Sequence, residues 1–147
     1  NIPTLIDRAV FPGMQGGPHM HVIAAKAVAF REAMQPEFKL YAQQVVKNAA
    51  VLANELQKGG LKLITGGTRN HLILADVYES FGIDGKEAQE RLEAEGITVN
   101  ANSTPDDLLP PYRPSGIRLG TPAITTRGAT EGDMVEIARR IIATLSK

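Results

Sequence analysis

The chain has 147 residues, of which 43% are hydrophobic, the size of one ordinary domain or of a domain with a connecting arm, and apolar enough to bury a core. Its 16 Lys+Arg balance 16 Asp+Glu, so no whole-molecule field draws in nucleic acid or an anionic membrane, and partners must be recognised locally. Cysteine is absent, which excludes disulfides and thiolate metal sites, and no apolar run approaches the ~18 residues of a spanning helix; a soluble, cytoplasmic protein is expected.

The opening run N-I-P-T-L-I-D-R-A-V-F-P-G has neither an initiator methionine nor a charged-then-apolar leader, and reads as the middle of a longer protein or a processed piece. Residues 10–18, V-F-P-G-M-Q-G-G-P, read as loop, because prolines bracket the glycines. Glycines can turn backbone N–H groups outward, and Pro18 suits the first turn of a following helix. Gly16 and Gly17 are therefore the candidates for a phosphate cradle, the plain alternative being a turn that feeds a helix.

From about His19 to Met34 the spacing predicts a helix with Val22, Ile23, Val28 and Phe30 on more than one face, as in a helix buried between partners. Such a helix would leave an apolar patch on the chain alone and favour self-association. Gln35-Pro36 interrupts it, and a second helix runs from Pro36 to Lys58 with Phe38, Tyr41, Val45, Ala49, Leu52 and Leu56 at spacings of three and four. Gly59-Gly60 stops it. Two strands, Leu61–Thr65 and His71–Tyr78, are joined by G-G-T-R-N as an antiparallel hairpin. Asp84 caps a helix to Glu95, Gly96 ends it, and Ile97–Asn100 is a short strand. Residues 102–115 form an ordered loop that keeps Leu108, Leu109 and Tyr112 among its prolines. A final helix runs from Glu131 to Leu145 with Met134, Ile137, Ile141 and Leu145 in register. Short strands with intervening helices make an α+β layer, a small, mainly antiparallel sheet with helices on one side.

The run S-G-I-R-L-G-T-P-A-I-T-T-R-G, Ser115 to Gly128, holds the sharpest signal. Arg118 sits in a strand pattern between Ile117 and Leu119, fenced by Gly116 and Gly120. A guanidinium offers two parallel donors that match a carboxylate, and a strand fixes its direction, so Arg118 is a candidate anion receptor. The alternative is an edge arginine whose stem lies on apolar surface. Other residues suggest less. His19 and His21, two apart on a helix, diverge and have no further ligand, so no metal is expected. His71 reads as structural, Asp76 as an acid that needs partners, and Lys86, Glu87, Glu90 and Arg91 as a solvated helix face. Nucleophile elbow, Walker loop and dinucleotide fingerprint are all missing.

Taken in order, F-P-G-M-Q-G-G-P, M-H-V-I-A-A-K-A-V-A-F, G-G-T-R-N-H-L-I-L-A-D-V, I-T-V-N-A-N-S-T-P and S-G-I-R-L-G-T-P-A-I-T-T-R-G resemble the serine hydroxymethyltransferase family from Val10 to the end. The resemblance implies a pyridoxal 5'-phosphate enzyme of the aspartate aminotransferase fold type (fold type I). It would interconvert serine plus tetrahydrofolate with glycine plus 5,10-methylenetetrahydrofolate, as a homodimer or tetramer. This chain would be its C-terminal part: residues 1–35 a loop and helical arm from the end of the large cofactor-binding domain, residues 36–147 the small α+β domain. By motif, Arg118 resembles the arginine that holds the substrate carboxylate. Gly16 and Gly17 resemble the pair that reaches the cofactor phosphate of the partner subunit. Asn102 is similar to the asparagine that bonds the pterin, and Pro110, Pro111 and Tyr112 to the segment along folate. Arg113 and Pro114 depart from the small or apolar residues more usual before S-G-I-R. The family's Schiff-base lysine follows threonines and a histidine, a context that no lysine from Lys26 to Lys147 has, so no catalytic residue is expected here and the chain alone should be inactive. The rival reading is a non-catalytic α+β module that binds a carboxylate ligand or a protein partner through Arg118 and the 102–115 loop.

Overall fold

The computed structural model describes all 147 residues in two compact units, Asn1–Lys39 and Leu40–Lys147. In the first, α1 (Ile2–Arg8) leads into a kinked turn, Ala9–Met14, broken by extended geometry at Phe11 (φ −134°, ψ 122°). The expected loop over residues 10–18 is thus helical at its start. Pro3 is tolerated in α1 because a first-turn N–H has no partner to lose. Helix α2 (Met20–Ala33) begins after His19, whose extended backbone makes it the N-cap. Pro18 consequently lies ahead of the helix instead of in its first turn. Every residue of this unit is exposed, Phe30 at 67%, so α2 is not buried within this chain.

Helix α3 (Pro36–Lys58) has the bounds its periodicity predicts. Val45, Ala49, Leu52 and Leu56 are buried, whereas Tyr41 is half-buried and Phe38 exposed, so the apolar stripe packs only from its middle onward. The second unit continues with β1 (Lys62–Leu63), β2 (Leu72–Asp76), α4 (Val77–Phe81), α5 (Gly85–Ala94), β3 (Asn100–Asn102), β4 (Gly116–Gly120), α6 (Pro122–Thr126) and α7 (Glu131–Leu145). Four strands form one sheet in the order β1-β2-β4-β3, antiparallel throughout. The architecture is α+β, with the hairpin formed as expected.

The strand read as Leu61–Thr65 shortens to Lys62–Leu63, and two other strand boundaries moved. The strand read as His71–Tyr78 stops at Asp76, because that carboxylate accepts the Glu79 N–H at 2.9 Å and starts α4. The acid is half-buried and finds its partner in the backbone. The strand read as Ile97–Asn100 shifts to Asn100–Asn102, since Ile97 N–H still bonds back to Leu92 at 2.9 Å and belongs to the end of α5. Helix α6 was not anticipated; Pro122 stands at its first turn, where proline is preorganised for helix.

The core lies on one face of the sheet. Leu63, Ile73, Ala75, Ile117 and Leu119 meet Leu52 and Leu56 of α3, Ala88 and Leu92 of α5, and Met134, Ala138, Ile141 and Leu145 of α7. Asn48 is the polar member: its Nδ2 donates to Thr125 Oγ1 and to the Ala129 carbonyl, each at 2.9 Å, tying α3 to the end of α6. The tightest approach is at the first residue of α5. A Cβ on Gly85 would stand 2.0 Å from the Gly116 carbonyl oxygen, and backbone on both sides leaves little room to yield.

Gly85→Ala should therefore destabilise the fold by about 1–3 kcal/mol or more, read as a lowered urea midpoint. The exposed neighbour substitution Lys86→Ala should stay within about 0.5 kcal/mol.

Candidate functional site

Alternation along β4 decides what the site can be. Side chains on a strand point to opposite faces in turn, so Ile117 and Leu119 enter the core and Arg118 faces away from it. Glycine on either side of it, at 116 and 120, leaves that face of β4 without other side chains. The strand is bonded on both edges: Arg118 stands opposite Leu74 on β2 and Asn100 on β3. The guanidinium is exposed, and its Nε donates to Asn100 Oδ1 at 3.2 Å. Of its five N–H donors the others meet no acceptor in the chain. The asparagine thus props one edge of the fork and leaves the other free for a bidentate anion.

Asn102 stands opposite Gly116 on the same face, a diagonal neighbour of Arg118 at roughly 7–8 Å by strand geometry. Its Nδ2 donates to the Ser103 carbonyl at 2.7 Å, which leaves Oδ1 open. The structure therefore brings Arg118 and Asn102 together. His71, just ahead of β2, is exposed, with its carbonyl accepting Thr121 N–H at 3.2 Å; its fold role is carried by the backbone and not by the ring.

The loop from Ser103 to Ser115 joins β3 to β4 at this end of the sheet. Pro110, Pro111 and Tyr112 are exposed on it, and Leu108 is 96% exposed. It is ordered by an acid that composition alone did not single out. Asp107 accepts N–H bonds from Leu109 at 2.9 Å, Ser115 at 3.0 Å and Thr104 at 3.1 Å, so one carboxylate ties both ends of the loop together. Beneath it the buried Thr104 and Ser115 hydroxyls pair at 2.8 Å. Burial pushes the Asp107 carboxyl up, but the N–H groups of Ser115, Leu109 and Thr104 outweigh burial and hold it below the usual carboxylate range. Arg113, the departure noted before S-G-I-R, has a local use: its Nε meets Asp84 Oδ2 at 2.6 Å, while Oδ1 of the same acid caps α5. An aspartate followed by a turn and prolines is the one sequence signal that could have exposed Asp107.

Gly16 and Gly17 lie in the first unit, between the Ala9–Met14 turn and α2. Neither N–H donates to any group of the chain, and a Cβ on either would meet nothing within 4 Å. His19 caps α2 without a side-chain bond; its carbonyl accepts the Val22 N–H at 3.0 Å, and of the first-turn amides only those of Met20 and His21 are also unclaimed. Unclaimed donors in an uncrowded loop are the chemistry of a phosphate cradle. The His19 and His21 rings, expected to diverge, meet edge to face at 5.5 Å because His19 is outside the helix. No group of three His, Cys, Asp or Glu side chains is arranged to hold a metal, and no helix is long and apolar enough to cross a membrane.

Residues 1–141 match the family model described as serine hydroxymethyltransferase. The chain is 56% identical over 140 residues to a curated serine hydroxymethyltransferase of Acidobacterium capsulatum, a similarity that covers 95% of this chain and 33% of that protein. The chain spans about a third of the length of the curated relative it matches.

Asp107→Ala should destabilise the chain by about 1–3 kcal/mol at neutral pH, the scale of a few bonds to a charged acceptor. Since the folded carboxyl lies below its unfolded value, its contribution is present above about pH 4 and fades as pH falls through the folded value. Urea midpoints of wild type and variant should converge at acid pH, and a pH-independent gap would contradict the carboxylate's role.

Proposed function

The chain belongs to the serine hydroxymethyltransferase family, and from that premise we propose that it is the C-terminal part of a cytoplasmic, homodimeric or tetrameric fold-type I enzyme that interconverts serine and glycine with tetrahydrofolate as the one-carbon acceptor. In this reading residues 1–35 close the large cofactor domain and 36–147 form the small one.

The observation that carries the reading is Arg118: a guanidinium held on an inner strand, propped by Asn100, with its remaining donors unclaimed. It binds the amino-acid carboxylate and sets the direction in which the α-carbon is presented. The glycines beside it leave the substrate room to approach the strand. Asn102, through its open Oδ1, bonds the pterin, and Pro110, Pro111 and Tyr112 lie along the folate on a loop that Asp107 holds in shape.

Gly16 and Gly17 fit a cofactor phosphate, because their N–H groups are free and nothing crowds them; they would reach it across the dimer interface. Pyridoxal 5'-phosphate, when bound, supplies the electron sink for bond breaking at the α-carbon. This chain contributes no group for its covalent attachment. All seven of its lysines are exposed, and an amine is activated for that purpose by desolvation or by a neighbouring cation. Lys62 shows the opposite tendency, its ammonium favoured by the hydrogen bond it donates to the Glu79 carboxylate. The residues here bind and orient, and the chain by itself should not interconvert the two amino acids.

In the complete enzyme Arg118→Ala should weaken serine binding by about 10²-fold or more, the scale of two charge-assisted bonds, while cofactor binding is kept. Arg118→Lys should recover only part, since an ammonium cannot make the paired contact. Titration with serine checks this; unchanged affinity in the alanine variant overturns the carboxylate assignment. A separate assay should find the 147-residue chain no faster than buffer in serine cleavage, and turnover by it would contradict the division of labour.

A further inference from the structure

On the helix-bearing side of the second unit, β3 and β4 part company. They pair only from Asn100 opposite Arg118 to Asn102 opposite Gly116. Ahead of Asn100 the chain is still closing α5: Gly96 takes a left-handed φ of 75° and Ile97 N–H returns to Leu92. Residues 97–99 therefore run clear of 119–121, where continued pairing would have placed them.

The parting leaves a cavity of about 280 Å³ with Ile97 and Val99 on one wall, Leu119 on the other and Ile137 beneath. Thr121 N–H bonds to His71 on the β2 side, so alternation turns the backbone of Gly120 toward the cleft, where it meets no partner. Arg127 and Arg140 also line it, and both are exposed, which puts them at its solvent side. Arg127 has no acceptor in the chain. Arg140 makes one bond, Nη2 to the Glu95 carbonyl at 2.9 Å. The Glu95 carboxylate turns instead to Lys147, 3.9 Å away, and no acidic residue lines the cavity. The nearest acid to Arg140 on α7, Glu136, adds to its field but is paired with Arg139, and Arg127 has no partner. An apolar slot topped by two guanidiniums with donors to spare is complementary to one kind of ligand, a single negative head on a hydrocarbon tail.

We propose that the cleft between residues 96–99 and 119–121 is a binding site for an amphipathic monocarboxylate, its tail on the Ile97, Val99, Leu119 and Ile137 walls and its carboxylate on Arg127 and Arg140. The site is on the far side of the sheet from Arg118, so it is independent of the substrate assignment above.

Octanoate is the probe, titrated into the intact chain with methyl resonances of Leu119, Ile124 and Ile137 as the readout. Those methyls should shift and saturate. Butyrate, shorter by four methylenes at about fourfold each, should bind on the order of a hundredfold more weakly. Octanol, which lacks the charge, should bind at least about tenfold more weakly. The double substitution Arg127→Ala, Arg140→Ala changes two exposed side chains and should cost about tenfold or more in octanoate affinity. Shifts confined to exposed methyls of the first unit, such as Ile6 and Ile23, overturn the proposal. So does equal binding of octanol, or octanoate affinity unchanged in the double variant.

Discussion

Everything in the second unit depends on β4 being bonded along both edges. An inner strand cannot slide, because its register is fixed at once by β2 and by β3, and a slip of one residue would turn each side chain to the wrong face. That constraint sends Ile117 and Leu119 into the core and commits Arg118 to the opposite face. The core residues pin the strand, and the strand aims the guanidinium; stability and ligand geometry come from the same five residues.

The ends of β4 are secured by different means. At the start, the Gly116 carbonyl approaches Gly85 of α5 so closely that Gly85 tolerates no side chain, a Cβ on Gly116 itself would crowd the Ala75 and Asn102 carbonyls, and Asp107 holds Ser115 to Thr104 and Leu109. At the other end Thr121 is fully buried and donates to the Val45 carbonyl of α3 at 2.8 Å. A loop of thirteen residues between β3 and β4 can therefore be long without being loose. Its exposed side chains stand on an anchored base, which suits a surface that meets a flat ring system.

Much of this was legible in the sequence where the signal is local. Helix α3 and helix α7 follow from spacings of three and four, and β4 from an apolar pair around a single charge between glycines. Asp84 and Gly96 marked the ends of α5 because caps act through neighbouring backbone groups. The misreadings share one cause, competition between elements. Asp76 was read inside a strand although its carboxylate was better placed to start a helix. Ile97 looked like strand, yet its N–H was claimed by the preceding helix. In the candidate site Arg118 and Asn102 stood out as residues, but Asn100 as the prop of the guanidinium depends on cross-strand register, which no local pattern reveals. Asp107 was missed for the opposite reason: its partners are mainly backbone N–H groups, and these leave no trace in side-chain composition.

The central claim is that Arg118, aimed by β4 and steadied by Asn100, receives the amino-acid carboxylate. The most direct measurement is a crystal structure of the complete enzyme with bound glycine. The account predicts two guanidinium nitrogens of Arg118 within about 2.7–3.2 Å of the two carboxylate oxygens, with Nε still on Asn100. A carboxylate held elsewhere, with Arg118 in its present exposed position and no anion upon it, would contradict it.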